Sequence, residues 1–187
     1  MALLTQKAIL STFEEMLEEM PFDKITVSAL VRRCGVSSNT FYYHFRDIYD
    51  LLDAWLRAKE AEILSSLPKD APWDTVLRTA LHRMQDNPQL VYHVINSISR
   101  ERLERYVFTS VEEFFIRMVR LHTKDLGIPE DRLDMLGSFF CYALLGFLLK
   151  FTWNQMRDDV DEAADRLAVL FRGTAEYFIQ QALSGGH

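Results

Sequence analysis

Thr26-Val-Ser-Ala-Leu-Val-Arg-Arg-Cys-Gly-Val-Ser-Ser-Asn-Thr-Phe-Tyr-Tyr-His-Phe45 is the stretch whose reading decides the fold. It predicts two short helices joined by a tight turn at Gly35, a helix-turn-helix. Thr26 is a good cap for the first helix, because its hydroxyl can accept from an amide that has no partner in the first turn. Val27, Leu30, Val31 and Cys34 then recur at i, i+3, i+4 and i+7 and set one apolar face inward. Gly35 supplies the left-handed residue that ends the helix, Val36 packs back, and Ser37 or Ser38 caps the second helix.

At about 100° per residue, Phe41 and Phe45 fall together as anchors of the second helix. Asn39 and Tyr43 share the opposite, outward face, flanked by Thr40 and Tyr42. That face carries hydrogen-bonding groups and no acid. It suits a major groove, where base edges offer donors and acceptors between two walls of phosphate. Between Lys24 and Arg46 lie four basic residues (Lys24, Arg32, Arg33, Arg46) and no acid, in a chain of net charge −6. A basic island in an acidic chain is the footprint expected of local phosphate contact.

Together, Thr26-Val27, Cys34-Gly35-Val36-Ser37, Thr40-Phe41-Tyr42-Tyr43-His44-Phe45-Arg46-Asp47 and Leu51-Leu52 closely resemble the N-terminal DNA-binding domain of the TetR/AcrR family of bacterial transcriptional regulators. The resemblance spans roughly residues 5–64. It implies a cytoplasmic, nucleoid-associated bacterial protein that binds a double-stranded, palindromic operator as a dimer. Thr26, Ser37, Thr40, Tyr42 and His44, with Lys24 and Arg46, are expected to hold phosphates, and Ser38, Asn39 and Tyr43 to read base edges. Family members often carry Lys three residues beyond the last Phe of the motif. This chain has Ile48 there, with Arg46 as the available substitute.

Length and composition bound the rest. The 187 residues are 49% hydrophobic and 26% charged, with seven Gly and five Pro. That describes a globular chain with room for one domain or two small ones, and it favours helix throughout. The two cysteines, Cys34 and Cys141, offer neither a disulfide framework nor metal spacing and fit a reducing cytoplasm. No cofactor is implied. The opening residues lack a charged n-region, so no secretory signal is read. The longest apolar run, Leu136 to Leu149, is short for a membrane span and reads as a buried helix.

The expected fold is all-α, with about nine helices. A first helix, 5–20, presents Leu10, Phe13, Leu17 and Met20 to a core, keeps Glu14, Glu15, Glu18 and Glu19 largely on its solvated side, and stops at Pro21. Residues 1–47 form the DNA-reading head. Asp47 caps a connecting helix, 47–64, and residues 65–187 form a helical effector-binding and dimerisation domain. Pro72 falls in the first turn of a helix to about Gln85, and Asn87-Pro88 opens the next. A long helix, 101–122, is followed by helices over 130–156 and 160–183. Asp158, Asp159, Asp161 and Glu162 gather where the last one begins, as the helix dipole favours.

The penultimate helix is nearly apolar all round. Leu133, Leu136, Phe140, Leu144, Phe147 and Phe151 lie on one side and Phe139, Tyr142, Gly146 and Leu149 on others, so more than one face must be covered. With Leu167, Leu170, Phe171 and Phe178 of the last helix it predicts a homodimer through the final two helices, Gly137 and Gly146 allowing close approach. The aromatic excess of residues 65–187 suggests a pocket for a small apolar or aromatic effector, with Tyr92, His93, Asn96, Phe115 and Tyr142 as candidate lining. The segment from Asn96 to Tyr106 and the last helix pair weakly resemble the branch containing dihydroxyacetone-kinase operon activators. That keeps a helical interaction module or co-activator, controlled by a partner protein, as the alternative. Enzymatic signatures (a Gly-rich phosphate loop, His-Glu-x-x-His, a nucleophile elbow) are absent from the sequence.

Overall fold

The computed structural model describes residues 2–69, 71–109 and 128–184. Among the described residues there are nine α-helices, one 3₁₀ helix (Phe22–Lys24) and no strand. The helices are α1 (Ala2–Glu19), α2 (Val27–Cys34), α3 (Ser38–His44), α4 (Ile48–Ser65), α5 (Trp73–Asp86), α6 (Pro88–Ile95), α7 (Arg100–Val107), α8 (Glu130–Trp153) and α9 (Val160–Ser184). The chain parts into two compact units, 1–72 with 82–99, and 73–81 with 100–187, the division falling inside α5. Residues 82–99, read from the sequence with the C-terminal half, thus belong to the first unit.

The punctuation read from the sequence sets the first unit. Thr26 accepts from the Ala29 amide at 3.2 Å, and Gly35 takes the left-handed conformation (φ 72°, ψ 23°) that ends α2. Ser37, rather than Ser38, caps α3 by accepting from the Thr40 amide at 3.1 Å. Asp47 caps α4, accepting from the amides of Tyr49 and Asp50 at 2.8 and 2.9 Å. Asn87 caps α6 through the Leu90 amide, with Pro88 in the first turn. Phe13, at the centre, meets Phe22 and Trp55 edge-on at 6.1 and 6.4 Å. Around it close Ile9, Leu17, Leu30, Phe41, Phe45, Leu51 and Leu52, all buried, with Leu90 and Val94 of α6 in the same core. Each such side chain contributes roughly 1.5–3 kcal/mol by leaving water.

The glutamates of α1 are solvated as expected, but each is also engaged. Glu14 accepts from the Trp55 indole at 3.1 Å and pairs with Lys59 at 2.7 Å, tying α1 to α4. Glu15 and Glu19 both hold Arg33 of α2, and Glu18 accepts from the Asn87 amide nitrogen at 3.3 Å.

In the second unit α8 buries Leu133, Leu136, Phe140, Cys141, Leu144, Leu145 and Phe151, and α9 buries Val160, Ala164, Ala168 and Phe171. Trp73, Phe171 and Phe140 stack in series, with centroids 4.9 and 4.6 Å apart. Arg78 of α5 reaches Asp161 and Asp165 at 2.7 and 2.6 Å. The acids at the head of α9 are therefore used one by one. Asp159 caps the helix through the Glu162 amide, Asn154 donates to Asp158, and Asp161 pairs with Arg78. α8 stops at Trp153, short of the expected 156, because Gln155 and Met156 turn left-handed (φ 59° and 54°). Met156 is buried there, and its amide donates to the Phe151 carbonyl at 2.8 Å. Of the long helix expected over 101–122, α7 covers the start, and the portion from 110 lies outside the described residues.

Candidate nucleic-acid interface

The turn at Gly35 delivers α3 to the surface on its two aromatic anchors. Phe41 is fully buried and Phe45 nearly so, their rings 5.7 Å apart. The same rotation turns Asn39 and Tyr43 outward, Tyr43 being 78% exposed and Tyr42 57%. Ser38 is also exposed, while Thr40 and His44 are half-buried on the flanks. His44 lies edge-on to Tyr43 at 5.0 Å. Ser37 and Thr40 share a hydroxyl–hydroxyl bond of 2.8 Å, and the Thr26 hydroxyl oxygen accepts within its own cap. The accepting hydroxyl of the Ser37–Thr40 pair and the Thr26 hydroxyl each keep a proton that can be donated to a phosphate.

Three of the four basic residues in the island have acids beside them. Lys24 lies 3.4 Å from Asp23. Arg46 donates to Asp50 from its backbone at 3.0 Å and from its guanidinium at 3.3 Å. The bond from the Arg46 amide, with its guanidinium adding to it, holds the Asp50 carboxyl below the usual range. Arg33 forks onto Glu19, with one arm at 2.7 Å, and reaches Glu15 at 3.3 Å. Its hydrogen bonds to Glu19 lower that carboxylate's pKa and raise its own. Arg33 thus orients α2 against α1. Arg32, the neighbouring residue of α2, is exposed and makes no ion pair among the described residues. The sequence reading left it out of the site. Its place in the acid-free basic run from Lys24 to Arg46 was the signal that could have found it.

The pocket candidates divide. Tyr92, His93 and Asn96 lie in the first unit and Tyr142 in the second, and Phe115 lies outside the described residues. His93 Nδ1 sits 2.6 Å from the Leu17 carbonyl of α1. Tyr142 is 64% exposed on α8 and meets Phe108 at 4.6 Å.

A capped helix pair that exposes an acid-free row of polar and aromatic side chains defines a helix-turn-helix, DNA-binding transcriptional regulator. Residues 9–55 match the family described as bacterial regulatory proteins, tetR family. Residues 72–173, more than half of the chain, match the family described as transcriptional regulator C-terminal region. The chain belongs to the TetR family of transcriptional regulators. No curated protein matches it. Among solved structures it is similar to the dihydroxyacetone kinase operon activator DhaS (TM-score 0.69, 17% identity, covering 94% of this chain and 98% of that one). It is also similar to NalD of Pseudomonas aeruginosa, the secondary repressor of the MexAB-OprM multidrug efflux pump (TM-score 0.55, 17% identity, 91% and 96% covered). A TetR-family transcription regulator from Shewanella sp. PV-4 follows (TM-score 0.50, 15% identity, 89% and 95% covered).

Proposed function

We propose that the protein is a ligand-responsive repressor that binds a palindromic operator as a homodimer, with no enzymatic activity of its own. The observation that carries this reading is the outward row of α3, where Asn39 and the 78%-exposed Tyr43 stand free on buried Phe41 and Phe45. Ser38, Asn39 and Tyr43 read base edges, and Lys24, Thr26, Ser37, Thr40, Tyr42, His44 and Arg46 hold phosphates. In this reading residues 1–47 are the DNA-reading part, α4 connects, and residues 65–187 sense and dimerise. The effector is a small apolar or aromatic molecule, in keeping with the aromatic content of that half. The work is done in the cytoplasm, on the nucleoid.

Dimerisation is supported by the outer side of α8. Met135, Phe139, Tyr142 and Trp153, each more than half exposed, recur with Gly146 along that side. Leu170 and Tyr177 of α9 are exposed likewise. An apolar groove of about 230 Å³ lined by Met135, Leu136, Phe139, Thr174 and Phe178 runs between the two helices. A stripe of this length on a helix already buried on its other side is what a second copy would cover.

A selection of genomic fragments by gel shift at two salt concentrations tests the reading. Specific fragments are retained and their affinity falls with salt; retention of none refutes it. A second reading, an activator governed by a partner protein, draws on the similarity to DhaS, itself an operon activator. A promoter reporter in a strain lacking the gene separates the two by the sign of the change.

A further inference from the structure

The last turn of α1 carries a defect written into the sequence. A helix leaves its final carbonyls without intrahelical donors. The Met16 carbonyl is served by the Met20 amide at 3.0 Å. The Leu17 carbonyl would take its hydrogen from residue 21, which is proline and has none. Leu17 is fully buried, so water does not supply the donor. His93, seventy-six positions downstream, places Nδ1 2.6 Å from that oxygen. A carbonyl only accepts, so Nδ1 carries the proton. Six residues earlier, at the cap of α6, Asn87 donates to Glu18. Leu90, Val94 and Ile98 seat α6 in the core that holds Phe13 and Leu17. On its other side the same turn of α1 presents Glu15 and Glu19 to Arg33 of α2.

We propose that His93 is a positioning residue for operator binding: by capping α1 in place of the amide that Pro21 lacks, it fixes the turn on which Arg33 orients α2, and through the Gly35 turn, α3. The proposal rests on the reading of α3 as the operator-binding helix.

The test compares wild type, His93→Leu, His93→Asn, Arg33→Ala, the double variant His93→Leu with Arg33→Ala, and Asn39→Ala with Tyr43→Ala. All are full-length proteins titrated onto one operator duplex taken from the genomic selection. Operator Kd is read by anisotropy and thermal stability by circular dichroism. His93→Leu is expected to weaken operator binding about tenfold at a temperature where it is fully folded. His93→Asn, which restores an N–H near the Nδ1 position, is expected within threefold of wild type. The double variant is expected to fall well short of the product of the single losses, since both bonds hold one turn. Wild-type operator affinity in folded His93→Leu, or multiplicative losses in the double variant, reduces His93 to a structural cap and overturns the proposal. If His93→Leu does not fold, His93→Gln, whose amide nitrogen falls beyond the Nδ1 position, carries the test by amide exchange. Unprotected α1 amides beside unchanged α2 and α3 amides and unchanged affinity overturn it; linked loosening with weakened affinity supports it. Unchanged binding by Asn39→Ala with Tyr43→Ala would instead sink the operator reading itself.

Discussion

Tyr43 and Phe41 sit two residues apart on α3, and truncating each should damage different properties. Tyr43 is 78% exposed, and its ring meets that of His44 at 5.0 Å. Tyr43→Ala therefore removes little packing, and its effect on folding stability is expected within about 0.5 kcal/mol. A base-edge contact contributes roughly 1–3 kcal/mol of discrimination. A two-fold operator engages two copies of the residue, so the expected loss is about 2–6 kcal/mol, at least about thirtyfold in Kd. Phe41 is fully buried, with its ring 5.3 Å from Tyr42 and 5.7 Å from Phe45. Phe41→Ala leaves a cavity and costs about 3–5 kcal/mol of stability, with operator binding lost only as the head unfolds. Anisotropy titration of a labelled operator gives Kd, and urea unfolding followed by circular dichroism gives stability. If Tyr43→Ala binds within twofold of wild type, or loses as much stability as Phe41→Ala, the division between an anchoring and a reading side of α3 is wrong.

Gly35 holds φ 72°, so Gly35→Ala forces a side chain into the left-handed region at about 1–2 kcal/mol; Gly35→Asn is the milder change, and the order of their melting temperatures checks it. Glu19 is held below its ordinary pKa of 4.5 by its hydrogen bonds with Arg33. A depressed folded value means its stabilisation is whole above about pH 4.5 and drains as the pH falls through that lower value. Glu19→Gln should therefore flatten the acid limb of a stability–pH curve and leave its alkaline side unchanged in slope. Phe139→Glu together with Tyr142→Glu puts charge on the exposed side of α8, where the native residues are 52% and 64% exposed. The helix content should persist while sedimentation shows a monomer; a dimer unaffected by both substitutions would move the interface elsewhere.

The head was legible because its signals are local. Thr26, Ser37 and Asp47 accept from amides two or three residues away, Gly35 donates to the Val31 carbonyl four residues back, and Phe41 and Phe45 are one turn apart, so chain spacing alone specifies them. The fate of the cations was not. Arg33 finds Glu15 and Glu19 on a helix 18 and 14 residues upstream, a pairing that depends on how α1 and α2 cross. The same limit applies to α6. Leu90, Val94 and Ile98 form a readable apolar stripe, but a stripe does not name what it covers, and here it covers the first unit. The α8 boundary was missed because Gln155 and Met156 adopt left-handed conformations that their types do not favour.

The charge of the head sharpens what its DNA contact must consist of. Residues 1–47 contain five basic and six acidic residues, formally −1, so the basic island is real in sequence but largely answered in space. Its cations are not equally committed. Arg33 is shared by two carboxylates of α1 and cannot leave without freeing α2. Arg46 is 86% exposed and held to Asp50 by one guanidinium contact of 3.3 Å. Exposed pairs of that kind contribute little, so a phosphate can replace Asp50 at small cost. Lys24 stands in the same position with Asp23, and Arg32 has no acid to give up among the described residues. In the proposed operator complex, phosphate neutralisation is then expected from Arg32, Arg46 and Lys24. With so few free cations, sequence-independent attraction is weak, and discrimination passes to the neutral groups of α3: the Asn39 amide, the Tyr43 hydroxyl and the serine and threonine hydroxyls around them. The proposed operator reading therefore expects a head that binds DNA weakly in general and gains its affinity from the right base edges.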